Sequence, residues 1–197
     1  IDYAGLFPPA GLDMESSVRN YARYFDEDRS WALGRFILPV SMLEEFNFLV
    51  DDTGRGGEKT DTWRLSVLVG EDFEDSIERV SRFNKWHQER KEIAAAQIDT
   101  IEVKTPTKGT IERAADVIPG NMTLFCEIPV GREIDELLDE LIRVGGCAKV
   151  RTGGVLPEMI PAIPDLARFM FACQRSAVPF KATAGLHHPL RSERSLT

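Results

Sequence analysis

Cys147-Ala148-Lys149-Val150-Arg151-Thr152-Gly153-Gly154 and Pro179-Phe180-Lys181-Ala182-Thr183-Ala184-Gly185-Leu186-His187-His188 decide how the chain is read. Each is a short strand-like run that carries a lysine and reaches glycine, where a turn must follow. Between them, Pro157 to Ala177 places Met159, Ile160, Ile163, Leu166, Phe169, Met170 and Cys173 at helical spacing. Strand, helix, strand is a parallel βαβ unit, with a lysine near the end of each strand.

The same alternation recurs upstream. Ile1–Phe7, closed by Pro8-Pro9, reads as a first strand, and from Asp13 the residues Val18, Tyr21, Tyr24 and Phe25 share a helical face. Trp31–Val40 reads as a second strand, and Ser41-Met42-Leu43-Glu44 has the form of a capping box opening a helix. Trp63–Gly70 is a third strand, followed by a helix with Phe73, Ile77, Val80, Phe83 and Trp86 on one side. Ile98–Val103 is a fourth strand, Ile111–Val117 a short helix, Met122–Val130 a fifth strand and Ile134–Val144 an amphipathic helix. Asp51–Thr62 is rich in Gly, Asp and Thr and reads as a surface loop. Its Gly54-Arg55-Gly56-Gly57 is no phosphate loop, because no strand feeds it and no helix opens with Gly-Lys-Ser/Thr.

Seven strands alternating with helices imply a parallel sheet covered by helices. The expected fold is α/β, a (β/α)8 TIM-type barrel, in preference to an open doubly wound sheet, because Phe7-Pro8-Pro9-Ala10-Gly11 is not a dinucleotide fingerprint. The eighth strand is missing, since Arg191–Thr197 is polar. Residues 1–197 therefore read as one (β/α) barrel domain incomplete at its C-terminal end, because an unclosed edge leaves backbone groups unpaired.

With 197 residues, 43% hydrophobic and 28% charged, the chain has the composition of a globular domain with a core. A formal net charge of −8 argues against general binding to nucleic acid or to an anionic membrane. No apolar run is long enough to span a membrane. Cys126, Cys147 and Cys173 have no CxxC spacing and read as buried thiols in a reducing compartment, so a cytoplasmic location is expected. Assembly with copies of the same chain is compatible with all of this.

The strands of a barrel buried on both faces should be almost wholly apolar. Here Glu102 and Lys104 lie two apart in the fourth strand, Glu127 interrupts the fifth, Lys149 and Arg151 lie two apart in the sixth, and Lys181 sits in the seventh. Period-two spacing puts each pair on one face. Gathered at the C-terminal mouth, where active sites of this fold occur, a mixed cluster of acids and bases offsets its own burial cost. A lysine near other cations and partly desolvated has a lowered pKa, which frees its amine as a nucleophile. Lys149, beside Arg151 and Lys181, is expected to meet that condition, with Glu102 or Glu127 moving protons.

These residues resemble the class I, Schiff-base-forming aldolases, most closely the deoxyribose-phosphate aldolase group. Lys149-Val150-Arg151-Thr152-Gly153 resembles that group's Lys-x-x-Thr-Gly strand, and Phe180-Lys181-Ala182-Thr183-Ala184-Gly185-Leu186 its next strand, with the two lysines 32 positions apart. Weaker likenesses run through Ile1-Asp2-Tyr3, Phe36–Val40, Leu65–Gly70, Ile101-Glu102-Val103 and Phe125-Cys126-Glu127. The resemblance implies that Lys149 forms the Schiff base with a small carbonyl substrate, that Lys181 tunes it and that Glu102 relays protons, with no cofactor. The chain departs from the group at Arg151, at Glu102 in place of aspartate, and at Gly185-Leu186-His187-His188-Pro189, where the group has a glycine-rich phosphate turn. Arg151 is expected to hold a carboxylate or phosphate of the substrate, with Glu127, Lys104 and His187 as further substrate contacts.

Two other readings remain open. One is a metal-dependent enzyme using Glu102, Glu127, His187 and His188. The other is a non-catalytic barrel whose charged mouth binds an anionic small molecule. Trp31, Trp63 and Trp86 are expected to pack in the core or between helix and sheet, and Glu71–Asp75 to open a helix.

Overall fold

A computed structural model of the chain describes residues 1–28, 30–50, 62–90, 96–105, 107–131, 133–154 and 156–185. Most of the expected loop 51–62, as well as His187, His188 and the polar tail, lie outside the described residues. Among the described residues, six α-helices and six strands follow one another as α1 (Met14–Phe25), β1 (Phe36–Pro39), α2 (Leu43–Val50), β2 (Trp63–Val69), α3 (Phe73–Glu89), β3 (Ala96–Lys104), α4 (Lys108–Val117), β4 (Thr123–Glu127), α5 (Ile134–Val144), β5 (Cys147–Arg151), α6 (Ile163–Arg175) and β6 (Phe180–Thr183). The strands take the order β1-β2-β3-β4-β5-β6, parallel in each pair whose register is defined.

The α/β class stands, but the closed eight-stranded barrel does not. Among the described residues there are six strands, and β1 and β6 end the order instead of pairing with each other. Ile1–Phe7 is not a full strand: Tyr3 alone bridges Phe36, with its N–H on the Arg35 carbonyl and its carbonyl accepting from Ile37. The prolines at 8 and 9 lack the N–H groups that would continue the ladder.

The chain divides into two compact units, Ile1–Ile101 and Glu102–Thr197. In the first, Asp13 caps α1 by accepting from the Ser16 N–H at 2.7 Å. Tyr21, Phe36, Phe46, Trp63 and Phe83 form an aromatic core, with Tyr21 edge-on to Phe36 at 5.4 Å and Phe46 edge-on to Trp63 at 5.8 Å. Trp63 is thus core, as expected, whereas Trp31 is 86% exposed and Trp86 lies under the Arg90 guanidinium. Ser41 does not cap α2; it sits in a 3₁₀ turn, Val40–Met42.

In the second unit, Thr107 and Thr110 close a capping box on α4. α5 buries Ile134, Leu137, Leu138 and Leu141 and stops at Gly145, whose φ of 69° is the left-handed conformation that glycine adopts without penalty. The helix expected from Pro157 begins only at Ile163. Pro157–Met159 forms a separate 3₁₀ turn, and Ile160 is extended because Pro161 disfavours helical backbone in the residue before it. α6 buries Phe169, Ala172 and Cys173, while Ile163, Met170 and Phe171 are exposed.

Among the described residues no helix is long and apolar enough to cross a membrane.

Candidate active site

The second unit holds the charged residues that the strand pattern singles out. On β5, Ala148 and Val150 are buried apolar residues, and Lys149 between them points to the opposite face. The register aligns Glu127 of β4 with Lys149 and Lys149 with Lys181 of β6, so the three side chains form a row across neighbouring strands. Aligned residues of parallel strands share a face, which is why one row collects residues distant in sequence.

Glu102, toward the C-terminal end of β3, joins the row. Its Oε2 lies 3.0 Å from Lys149 Nζ, and its Oε1 accepts from Lys181 Nζ at 2.7 Å. The second carboxylate, Glu127, places Oε2 2.9 Å from Lys149 Nζ and Oε1 3.9 Å from Arg151 Nε. The Glu102 side chain is 1% exposed and that of Lys149 6%, so both charges are essentially removed from water. Such a group persists only because each charge meets an opposite one at hydrogen-bond distance.

The pairing reverses one expectation. Burial pulls Lys149 toward the neutral amine, but the charges of Glu102 and Glu127 and their hydrogen bonds outweigh it, so its pKa stands above the ordinary 10.5. Neighbouring cations were expected to lower it. The two carboxylates lie within hydrogen-bond distance of Lys149, and they outweigh the cations.

Lys181 also lies 5.1 Å from the centre of the Phe125 ring, a cation–π contact that the strand pattern did not single out. The signal was present, since Phe125 stands two residues before Glu127 and so shares its face. The ends of β5 and β6 are fastened together next to the lysines. The Thr152 N–H donates to the Thr183 carbonyl at 2.8 Å, and its hydroxyl donates to the Ala184 carbonyl. Gly153 is required there, because a Cβ on it would come within 2.6 Å of the Gly185 Cα.

The structure therefore brings together Glu102, Glu127, Lys149 and Lys181, with Arg151 half exposed at their margin. Lys104 is exposed at the end of β3 and does not join them. His187 and His188 lie outside the described residues. Among the described residues no three His, Cys, Asp or Glu side chains are grouped to hold a metal ion. All three cysteines are free thiols, and burial pushes Cys126 up to about 12 and Cys173 up to about 11, so neither is a ready nucleophile.

Chemically, the arrangement is a buried amine in contact with two carboxylates, one of which also touches a second amine. It can hold a proton, pass it between carboxylate and amine, and offer hydrogen bonds to an oxygen that becomes charged. No family model, curated protein or solved structure matches the chain.

Proposed function

We propose that the protein is a lyase-type enzyme in which Lys149 forms a Schiff base with a small carbonyl compound. One observation carries the reading: Glu102, buried, bridges two lysines on its two oxygens at 3.0 and 2.7 Å. A buried lysine that served only for packing would be costly to keep, and an apolar residue of similar volume would do as well.

Lys149 begins as an ammonium ion and passes one proton to Glu102, which leaves the amine lone pair free. That lone pair forms a bond to the carbonyl carbon, and the π pair of the carbonyl moves onto oxygen. A proton then moves from nitrogen to that oxygen, giving a neutral carbinolamine. Glu102 returns its proton to the hydroxyl, water departs, and the nitrogen lone pair closes the protonated imine. In sum, one lysine ammonium and one carbonyl give one iminium and one water, with Glu102 ionised again. Lys181 draws on the other Glu102 oxygen and so weakens the hold of Glu102 on Lys149.

The high pKa of Lys149 favours a second reading, non-catalytic binding of a small anion by a lysine that stays charged. The three free thiols fit the cytoplasm, and the acidic composition fits a small-molecule ligand better than a nucleic acid.

Borohydride reduction in the presence of aldehydes, ketones, keto acids and sugar phosphates, read by peptide mass spectrometry, tests the proposal. A reduced adduct on Lys149, lost in Lys149→Ala with the fold retained, is expected. No adduct on any lysine of the folded protein transfers the weight to anion binding.

A further inference from the structure

Glu102 contacts Lys149 and Lys181, Glu127 contacts Lys149, and Arg151 stands at the margin of the group. Its side chain is 49% exposed, and its Nε stands 3.9 Å from Glu127 Oε1, well beyond the distance of a charge-assisted hydrogen bond. The other oxygen of the same carboxylate is held by Lys149 at 2.9 Å. One carboxylate is thus lodged between a buried amine and an outward guanidinium, tight at the first and loose at the second. Lys149 and Arg151 stand two apart on β5, hence on one face.

We infer that Arg151, beside Lys149, forms a seat for the carboxylate end of the substrate, for which the Glu127 carboxylate competes, and that the carbonyl compound the site takes is a 2-oxo acid. The inference rests on the reading that Lys149 forms a Schiff base and specifies the substrate class for it. A carbonyl one bond from a carboxylate puts its carbon beside the amine while the carboxylate meets the planar fork of Arg151, which binds carboxylates through two parallel hydrogen bonds. A carboxylate monoanion suits that fork, whereas a phosphate dianion faces stronger repulsion from Glu127. A neutral aldehyde leaves Arg151 without a use.

The test is borohydride trapping on Lys149 with pyruvate against methyl pyruvate, its uncharged ester, and with dihydroxyacetone phosphate against dihydroxyacetone. The wild type, Arg151→Gln and Glu127→Gln are compared, with folding checked by circular dichroism. Intrinsic carbonyl reactivity cancels when each ratio is compared between variants. Arg151→Gln is expected to lower the pyruvate-to-ester ratio about ten- to hundredfold, the usual loss of charged hydrogen bonds. Glu127→Gln removes the competing carboxylate and is expected to raise it.

If Arg151 served only to fasten Glu127, the two variants would move the ratio the same way or leave it unchanged; with adducts still forming, that overturns the carboxylate seat and leaves the Schiff base standing. A larger loss in the phosphate ratio than in the pyruvate ratio overturns the 2-oxo acid class. No adduct with any of the four on the folded wild type overturns both this inference and the reading beneath it.

Discussion

β3 carries two carboxylates three residues apart, Asp99 in the first unit and Glu102 in the second, and each holds two cations. Asp99 takes Arg35 Nε at 2.5 Å and Arg64 Nε at 2.8 Å, with the Thr100 hydroxyl donating at 2.9 Å. Glu102 takes Lys149 and Lys181. The charge pattern is the same, but the chemistry is not. A guanidinium keeps its proton at any pH a protein survives, so the Asp99 group can only fasten β1, β2 and β3 together. A lysine amine can lose its proton and become a nucleophile. Arg64 is also 59% exposed, so water screens part of the first group, whereas the second lies largely out of water. Arginine around a carboxylate on accessible strand residues makes a fastening, and lysine around a buried one makes a site able to move a proton.

The largest contrast should come from removing each central charge. Glu102→Gln takes a buried carboxylate charge from beside both Lys149 and Lys181, and a cost of about 3–5 kcal/mol is expected, as for breaking one partner of a buried pair. Asp99→Asn, nearer to solvent, should cost about 1–2 kcal/mol. Urea denaturation of the two variants measures both, and an equal loss would undo the contrast.

Exchanging the cations gives smaller shifts in stability. Lys149→Arg keeps a charge beside both carboxylates and should cost about 1–3 kcal/mol from overpacking, with complete loss of borohydride trapping at that position. Arg35→Lys loses the paired hydrogen bonds to Asp99 and should cost about 1 kcal/mol with trapping on Lys149 retained. A trapped adduct in Lys149→Arg that maps to Lys181 would show that the two lysines are interchangeable and would remove the distinction drawn between them.

The gentlest probe is pH. Lys149 has a folded pKa above its unfolded value near 10.5, so its stabilisation is fully present below that value and is lost as pH rises through the folded pKa. Burial would raise the Asp99 pKa, but hydrogen bonds from Arg35, Arg64 and Thr100 hold it below its ordinary 3.8. Its stabilisation is present above that value and is lost as pH falls through the folded pKa. Stability curves of Lys149→Met and Asp99→Asn should therefore part from the wild type differently, the first losing its difference in alkali and the second in acid. Convergence of both at the same end would show that one of the two groups is misread.

The Lys149 row was legible in the sequence because a strand repeats every two residues, and a charge between buried neighbours is visible without any partner in view. Phe125 could have been found by the same rule. The Asp99 group could not, since Arg35, Arg64 and Asp99 each read as a single charge within a separate strand, and only pairing of those strands unites them.

What the sequence determined by itself was local: helices α1, α3 and α5 from their spacing, strands β2 to β6 from apolar runs and turns, and the face on which Glu102, Lys149 and Arg151 stand. Tertiary structure alone decided that the described strands number six and do not close into a barrel, that Ile1–Phe7 contributes one bridge, and that Trp31 faces outward. It also decided the sign of the Lys149 shift. Neighbours in sequence, such as Arg151, push an amine toward neutrality. Whether carboxylates outweigh them depends on strand register, which sets Glu127 opposite Lys149 and brings Lys181 to Glu102 from 79 positions away. Coulomb energy falls with distance in space and is blind to distance along the chain, so no local pattern contains it.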